Sequence, residues 1–219
     1  MLLTRFRRPG GTGVWALAAV LCFLGSASAQ QAEDGFSADE RRRLGAGELI
    51  TRPVERRRGQ HTLTGGSSWQ VLEHSPGETW RALADTSAYP RLLPATESAR
   101  VVAHQPGERV VQLRHGVGFA SAQYHLRMRF DHDRRDISFR LDPQRRNDLR
   151  AAWGFIHVEP YEDDESRTLL SFGAMADPGG GALGGLVRPQ MREWMLRVPE
   201  TVRNYLNGSG RGRYTTASR

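Results

Sequence analysis

Ser121 to Phe130 reads SAQYHLRMRF and alternates without a break. Ala122, Tyr124, Leu126, Met128 and Phe130 share one face of an extended chain, while Gln123, His125, Arg127 and Arg129 share the other. One apolar and one wet face mark a strand of an antiparallel sheet packed on a single side.

The period of two persists in both directions. Upstream lie Arg109 to Val117 and, beyond the turn Pro106-Gly107, Val101 to Ala103. Downstream, a polar turn at Asp131 to Arg135 leads to Ile137, Phe139 and Leu141. Ala151 to Val158 and Arg167 to Met175 follow, joined across the acidic turn Glu162 to Glu165. In Ala151 to Val158 the phase carrying Trp153, Phe155 and His157 is expected to face inward, although the opposite phase is nearly as apolar.

Thr62 to His74 reads as a first strand. Ser75-Pro76-Gly77-Glu78 predicts a helix start, with Ser75 as cap, Pro76 at the first helical position and Glu78 completing a capping box. Ser87 to Pro90 ends that helix, because a residue before proline is pushed out of the helical region. At the other end, Gly179 to Gly181 break the pattern. Val187, Met191, Trp194, Met195, Val198, Val202 and Tyr205 then form one stripe at helical spacing. Pro199 predicts a kink near Val198, and Asn207-Gly208 an end.

The order is therefore strand, short helix, six strands, long helix. This predicts an α+β domain of helix-grip type, an antiparallel sheet wrapped around a long C-terminal helix so that both bury their apolar faces. A cleft between sheet and helix is a natural apolar ligand site. The side chains expected to line it are Trp80, Leu93, His115, Tyr124, Met128, Trp153, Phe155, Met191, Trp194 and Met195. Tyr124 and His115 share the phase of the apolar side chains on their strands, and are the polar groups best placed to orient a ligand.

The chain has 219 residues and a formal charge of +7; all 31 basic residues are arginine. Residues 61–207 hold 18 arginines and 18 acids, so the excess lies in the leader and the tails. A nucleic-acid footprint would be a basic face on the folded domain, so none is expected.

Residues 1–29 have the layout of a secretory signal peptide: Arg5, Arg7 and Arg8, the apolar run Val14 to Leu24, then Ala27-Ser28-Ala29. A periplasmic or secreted location follows, with an uncleaved membrane anchor as the alternative. Cys22 is the single cysteine and leaves with the leader, which excludes disulfides and thiol chemistry in the mature chain. Residues 30–60 read as a solvated, disordered linker with a short helix near Asp39 to Leu44 capped by Ser37. The clusters Arg41 to Arg43 and Arg56 to Arg58 are its candidates for peripheral membrane contact. Residues 208–219 read as a disordered tail.

Three stretches carry a family resemblance: SPGETWRALAD at Ser75 to Asp85, YPRLLP at Tyr89 to Pro94, and VPETVR at Val198 to Arg203. They are similar to the opening helix, the following turn and the terminal helix of the START-like (SRPBCC, helix-grip) superfamily, in its polyketide cyclase/dehydrase and coenzyme-Q-binding branch. The resemblance covers about residues 62–207. It implies a hydrophobic cavity that takes lipids, quinones, sterols or aromatic polyketides, with chemistry in some members and binding alone in many.

No catalytic residue, metal site or cofactor is expected. Gly179, Gly181 and Gly184 match G-x-G-x-x-G, but no parallel strand follows them. There is no G-x-S-x-G elbow and no recognised histidine metal spacing. Asp131-His132-Asp133 reads as a hairpin turn. The expected function is binding or carrying a hydrophobic ligand such as a lipid or quinone. A cyclase/dehydratase enzyme and a cell-envelope interaction module with a filled core are the alternatives.

Overall fold

The computed structural model describes residues 35–117, 120–179 and 182–215, with the backbone alone for 117, 120 and 182–187. The leader, Gly180, Gly181 and the side chain of Val187 lie outside the described residues.

Eight strands form one sheet, in the order β1-β2-β8-β7-β6-β5-β4-β3, and every neighbouring pair is antiparallel. The strands are β1 Ile50–Arg58, β2 His61–Leu72, β3 Thr96–Gln105, β4 Glu108–Val117, β5 Ala120–Asp131, β6 Asp136–Leu141, β7 Ala151–Tyr161 and β8 Asp164–Asp177. The helices are α1 Ala38–Gly45, α2 Pro76–Ala84, the single turn α3 Tyr89–Leu92, α4 Ala182–Leu196 and α5 Val198–Asn207. This is the helix-grip α+β architecture.

The alternation in Ser121 to Phe130 sets the inner face. Leu126, Met128 and Phe130 point inward with Val111 and Leu113 of β4, Ile137 of β6 and Ile156 and Val158 of β7. Leu83 of α2 and Val198, Val202 and Leu206 of α5 close over them. Each such fully buried side chain contributes about 1.5–3 kcal/mol by leaving water.

The C-terminal helix divides where Pro199 predicts. Arg197 breaks the helical path between α4 and α5, and Pro199 occupies the first turn of α5. A proline there lacks the N–H that would continue the ladder. The Ser75 cap forms, its Oγ accepting from the Glu78 amide at 3.2 Å. The capping box does not: the Glu78 carboxylate lies 3.1 Å from His74 Nδ1 instead.

Residues 36–58 are not a disordered linker. Ser37 and Glu40 cap α1 reciprocally, and β1 pairs along its whole length with β2. Phe36, Leu44 and Ile50 pack with Trp69, Val71, Tyr161 and Leu169 in a second core on the outer face of the sheet. β1 looks like a linker because it is an edge strand solvated on both faces, with only Ile50 buried. The bonds of Arg43 to Glu48 and of Arg42 to Asp39 hold those two side chains beside α1.

Residues 208–215 are not a disordered tail either. Tyr214 is buried, and its hydroxyl donates to Asp85 at 2.8 Å and meets the Tyr205 hydroxyl at 3.1 Å. Its glycines and arginines hide that anchor in a composition typical of disorder.

Candidate functional site

The inner face contains a region where packing is incomplete. Leu93, Ala99, Tyr124, Phe139, Leu141, Met191 and Met195 all touch the inner core, yet each keeps part of its surface uncovered. They come from the turn after α3, from β3, β5 and β6, and from α4. The sheet thus supplies one wall and the C-terminal helix supplies two methionines. Methionine is unbranched and adapts to irregular shapes.

His115 and Tyr124 are the polar members of this surface. Their rings stack, with centroids 5.4 Å apart and planes 17° from parallel. They face each other because Leu113 pairs with Tyr124 and His115 with Ala122, which puts both side chains on the inner side of neighbouring strands. The His115 Nε2 lies 3.4 Å from Thr96 Oγ1, its cross-strand neighbour on β3. Burial pulls the imidazole down to about 4, against the smaller opposing effect of a hydrogen bond with the Pro94 carbonyl. His115 is therefore neutral at pH 7.

Burial likewise raises the Tyr124 phenol well above its usual range, so it stays protonated. Its hydroxyl has no hydrogen-bond partner among the described residues. The Tyr124 side chain is half-covered by the inner core, and its hydroxyl keeps contact with solvent. An accessible hydroxyl without a protein partner bonds water and can exchange that water for a ligand oxygen. Neither group is tuned for proton transfer near pH 7, which needs a pKa near the working pH.

Trp80 and Met128 belong to the inner core outright, the Trp80 indole donating to His132 Nδ1 at 3.3 Å. That bond occupies the histidine of the Asp131-His132-Asp133 turn. Trp194 is half-buried but does not pack against the inner core, unlike Met191 and Met195 on the same helix.

Trp153 and Phe155 correct the expected lining set. Both lie on the outer face of the sheet, 41% and 44% exposed. The inward phase of β7 is Ala152, Gly154, Ile156 and Val158. Space decides the phase. The Phe139 ring lies over Gly154, where a Cβ would sit 2.4 Å from it and 2.2 Å from the Gly173 carbonyl oxygen. Only the face with the glycine accepts that ring. His157 follows its neighbours outward, between Asp136 at 2.6 Å and Glu159 at 3.3 Å.

Phe139, Leu141 and Ala99 were absent from the expected set. The clean alternation of β6 put Phe139 and Leu141 on the inner face, so the signal for those two was present.

The profile of the family described as polyketide cyclase / dehydrase and lipid transport matches residues 72–200. Among solved structures, the chain is similar to the Zhui aromatase/cyclase from Streptomyces sp. R1128, at 20% identity and TM-score 0.55, covering 77% of this chain and 99% of that one. It is similar to a STAR-related lipid transfer protein from Xanthomonas axonopodis, at 13% identity and TM-score 0.54, covering 72% and 98%. It is also similar to the protein TTHA0849 from Thermus thermophilus, at 15% identity and TM-score 0.56, covering 65% and 97%. No curated protein matches the chain. At such identities the likeness to these structures speaks for the fold.

Proposed function

We propose, from the premise that the chain belongs to the polyketide cyclase / dehydrase and lipid transport family, that it binds a hydrophobic molecule in the inner recess. The Tyr124 hydroxyl, accessible at the edge of a half-covered apolar surface and without a protein partner among the described residues, carries this reading. The ligand's apolar part lies against Leu93, Phe139, Leu141, Met191 and Met195, gaining about 0.8 kcal/mol per buried CH2 group. Its polar end carries an oxygen that accepts from Tyr124, with His115 stacked behind the phenol. A lipid or a quinone has this combination.

Binding without chemistry fits the site better than a cyclase or dehydratase. A cyclase needs a group that exchanges protons near neutrality, and both polar groups here are held away from it. The leader, with Arg5, Arg7, Arg8 and the apolar run to Leu24, supports export. In this reading the domain works in the periplasm or outside the cell.

An apolar fluorescent probe displaced by lipids or quinones tests the proposal. Tyr124→Phe is expected to weaken ligands with a polar head by about fivefold to tenfold, the worth of one hydrogen bond. It should leave a pure hydrocarbon unaffected. No probe uptake, or equal loss for both ligand types, would overturn it.

A further inference from the structure

The outer face of the sheet carries a groove that the ligand reading leaves unused. It has a volume of about 530 Å³ and is lined by Val54, Leu63, Trp153, Phe155 and Met175, with Arg56 and Arg58 at its edge. Trp153 pairs across the sheet with Met175 on one side and with Arg140 on the other. The Phe155 ring rests on Gly173. No acidic residue lines the groove. Arg56, Arg58 and Arg140 have no ion pair among the described residues, whereas Arg42, Arg43 and Arg127 are paired.

We propose that this groove docks the domain on an anionic phospholipid bilayer. Its composition has the chemistry of the bilayer interface: aromatic side chains at headgroup depth, an aliphatic floor, and guanidinium groups that chelate phosphate. Charge argues against a second copy of this chain as occupant, since a symmetric contact would bring unpaired arginines together without an acid between them. A single-stranded nucleic acid would also attract the arginines. Trp153 and Phe155 would offer its bases a stacking surface as well, but the aliphatic floor of Val54, Leu63 and Met175 suits acyl chains rather than bases.

Sedimentation with vesicles tests this, using protein recovered from its own envelope fraction. One set of vesicles is phosphatidylcholine alone; the other is one-third phosphatidylglycerol. Binding should be at least ~tenfold stronger to the anionic set and should fall away as salt is raised. Trp153→Ser and the double variant Arg56→Ser/Arg58→Ser should each lose about fivefold or more. Their melting temperatures and probe uptake in the inner recess should be unchanged, which separates this outcome from failure of the ligand reading. Equal binding to both vesicle types, or full binding by the variants, overturns the proposal. So does a dimer in solution that Trp153→Ser dissociates, or a preference for a single-stranded oligonucleotide over anionic vesicles.

Discussion

His115 stacks on Tyr124 with ring centroids 5.4 Å apart, among apolar side chains and the Thr96 hydroxyl. The sign of the pH dependence follows from burial, which lowers the imidazole to about 4. In the unfolded chain it protonates near 6.5, so the unfolded state binds the proton first as pH falls. Above about pH 6.5 the residue adds no penalty. Below it, folding loses stability progressively, approaching ~3 kcal/mol near pH 4. Urea midpoints at pH 7 and pH 4, compared with those of His115→Gln, should show this difference narrowing in the variant.

Gly154 and Gly173 are expected to respond differently to alanine. At Gly154 a Cβ meets the Gly173 carbonyl oxygen at 2.2 Å as well as the Phe139 ring, and a backbone atom cannot step aside. Gly154→Ala should cost about 1–3 kcal/mol, the range for overpacking. At Gly173 the obstacle is the exposed Phe155 ring, 2.4 Å from the Cβ position and free to swing outward. Gly173→Ala should cost less than about 1 kcal/mol. Denaturant unfolding of the two variants checks the order.

The outer core makes α1 part of the fold. Leu44 is 1% exposed beneath Trp69, Tyr161 and their neighbours. Leu44→Ala should cost about 2–5 kcal/mol, as for other buried leucines. A freely solvated segment would show no effect in the same urea titration.

Asp85 anchors the C-terminal segment through Tyr214 and Arg213, and hydrogen bonds from Ser87 and Tyr214 help hold its carboxyl below the usual range despite the opposing effect of burial. Tyr214→Phe removes one of these donors and should cost about 1 kcal/mol. Faster amide exchange in 208–215 should accompany it, read by hydrogen–deuterium exchange.

The sequence was most informative where burial was one-sided. β5 and β6 keep their apolar side chains to one face, so Tyr124, Met128 and Phe139 could be placed from alternation alone, although His125 on the opposite face of β5 is buried beneath Arg146 and Asn147. β7 resisted because both its phases are apolar. Its orientation depends on the Phe139 ring needing the space at Gly154, a relation between two strands that neither strand contains. β1 resisted for the opposite reason, since an edge strand solvated on both faces has no alternation to read. The tail hid one tyrosine among glycines and arginines.

A hydrophobic molecule held beside Tyr124 should stay with the protein through a gentle purification. Native mass spectrometry of the protein from its own envelope fraction, followed by solvent extraction, tests it most directly. The expected result is an added mass that organic solvent removes, identifiable as a lipid or quinone and depleted in Ala99→Phe, which places a ring on the inner face of β3. Protein that emerges empty, and stays empty when incubated with lipids, quinones and polyketide mimics, would contradict it.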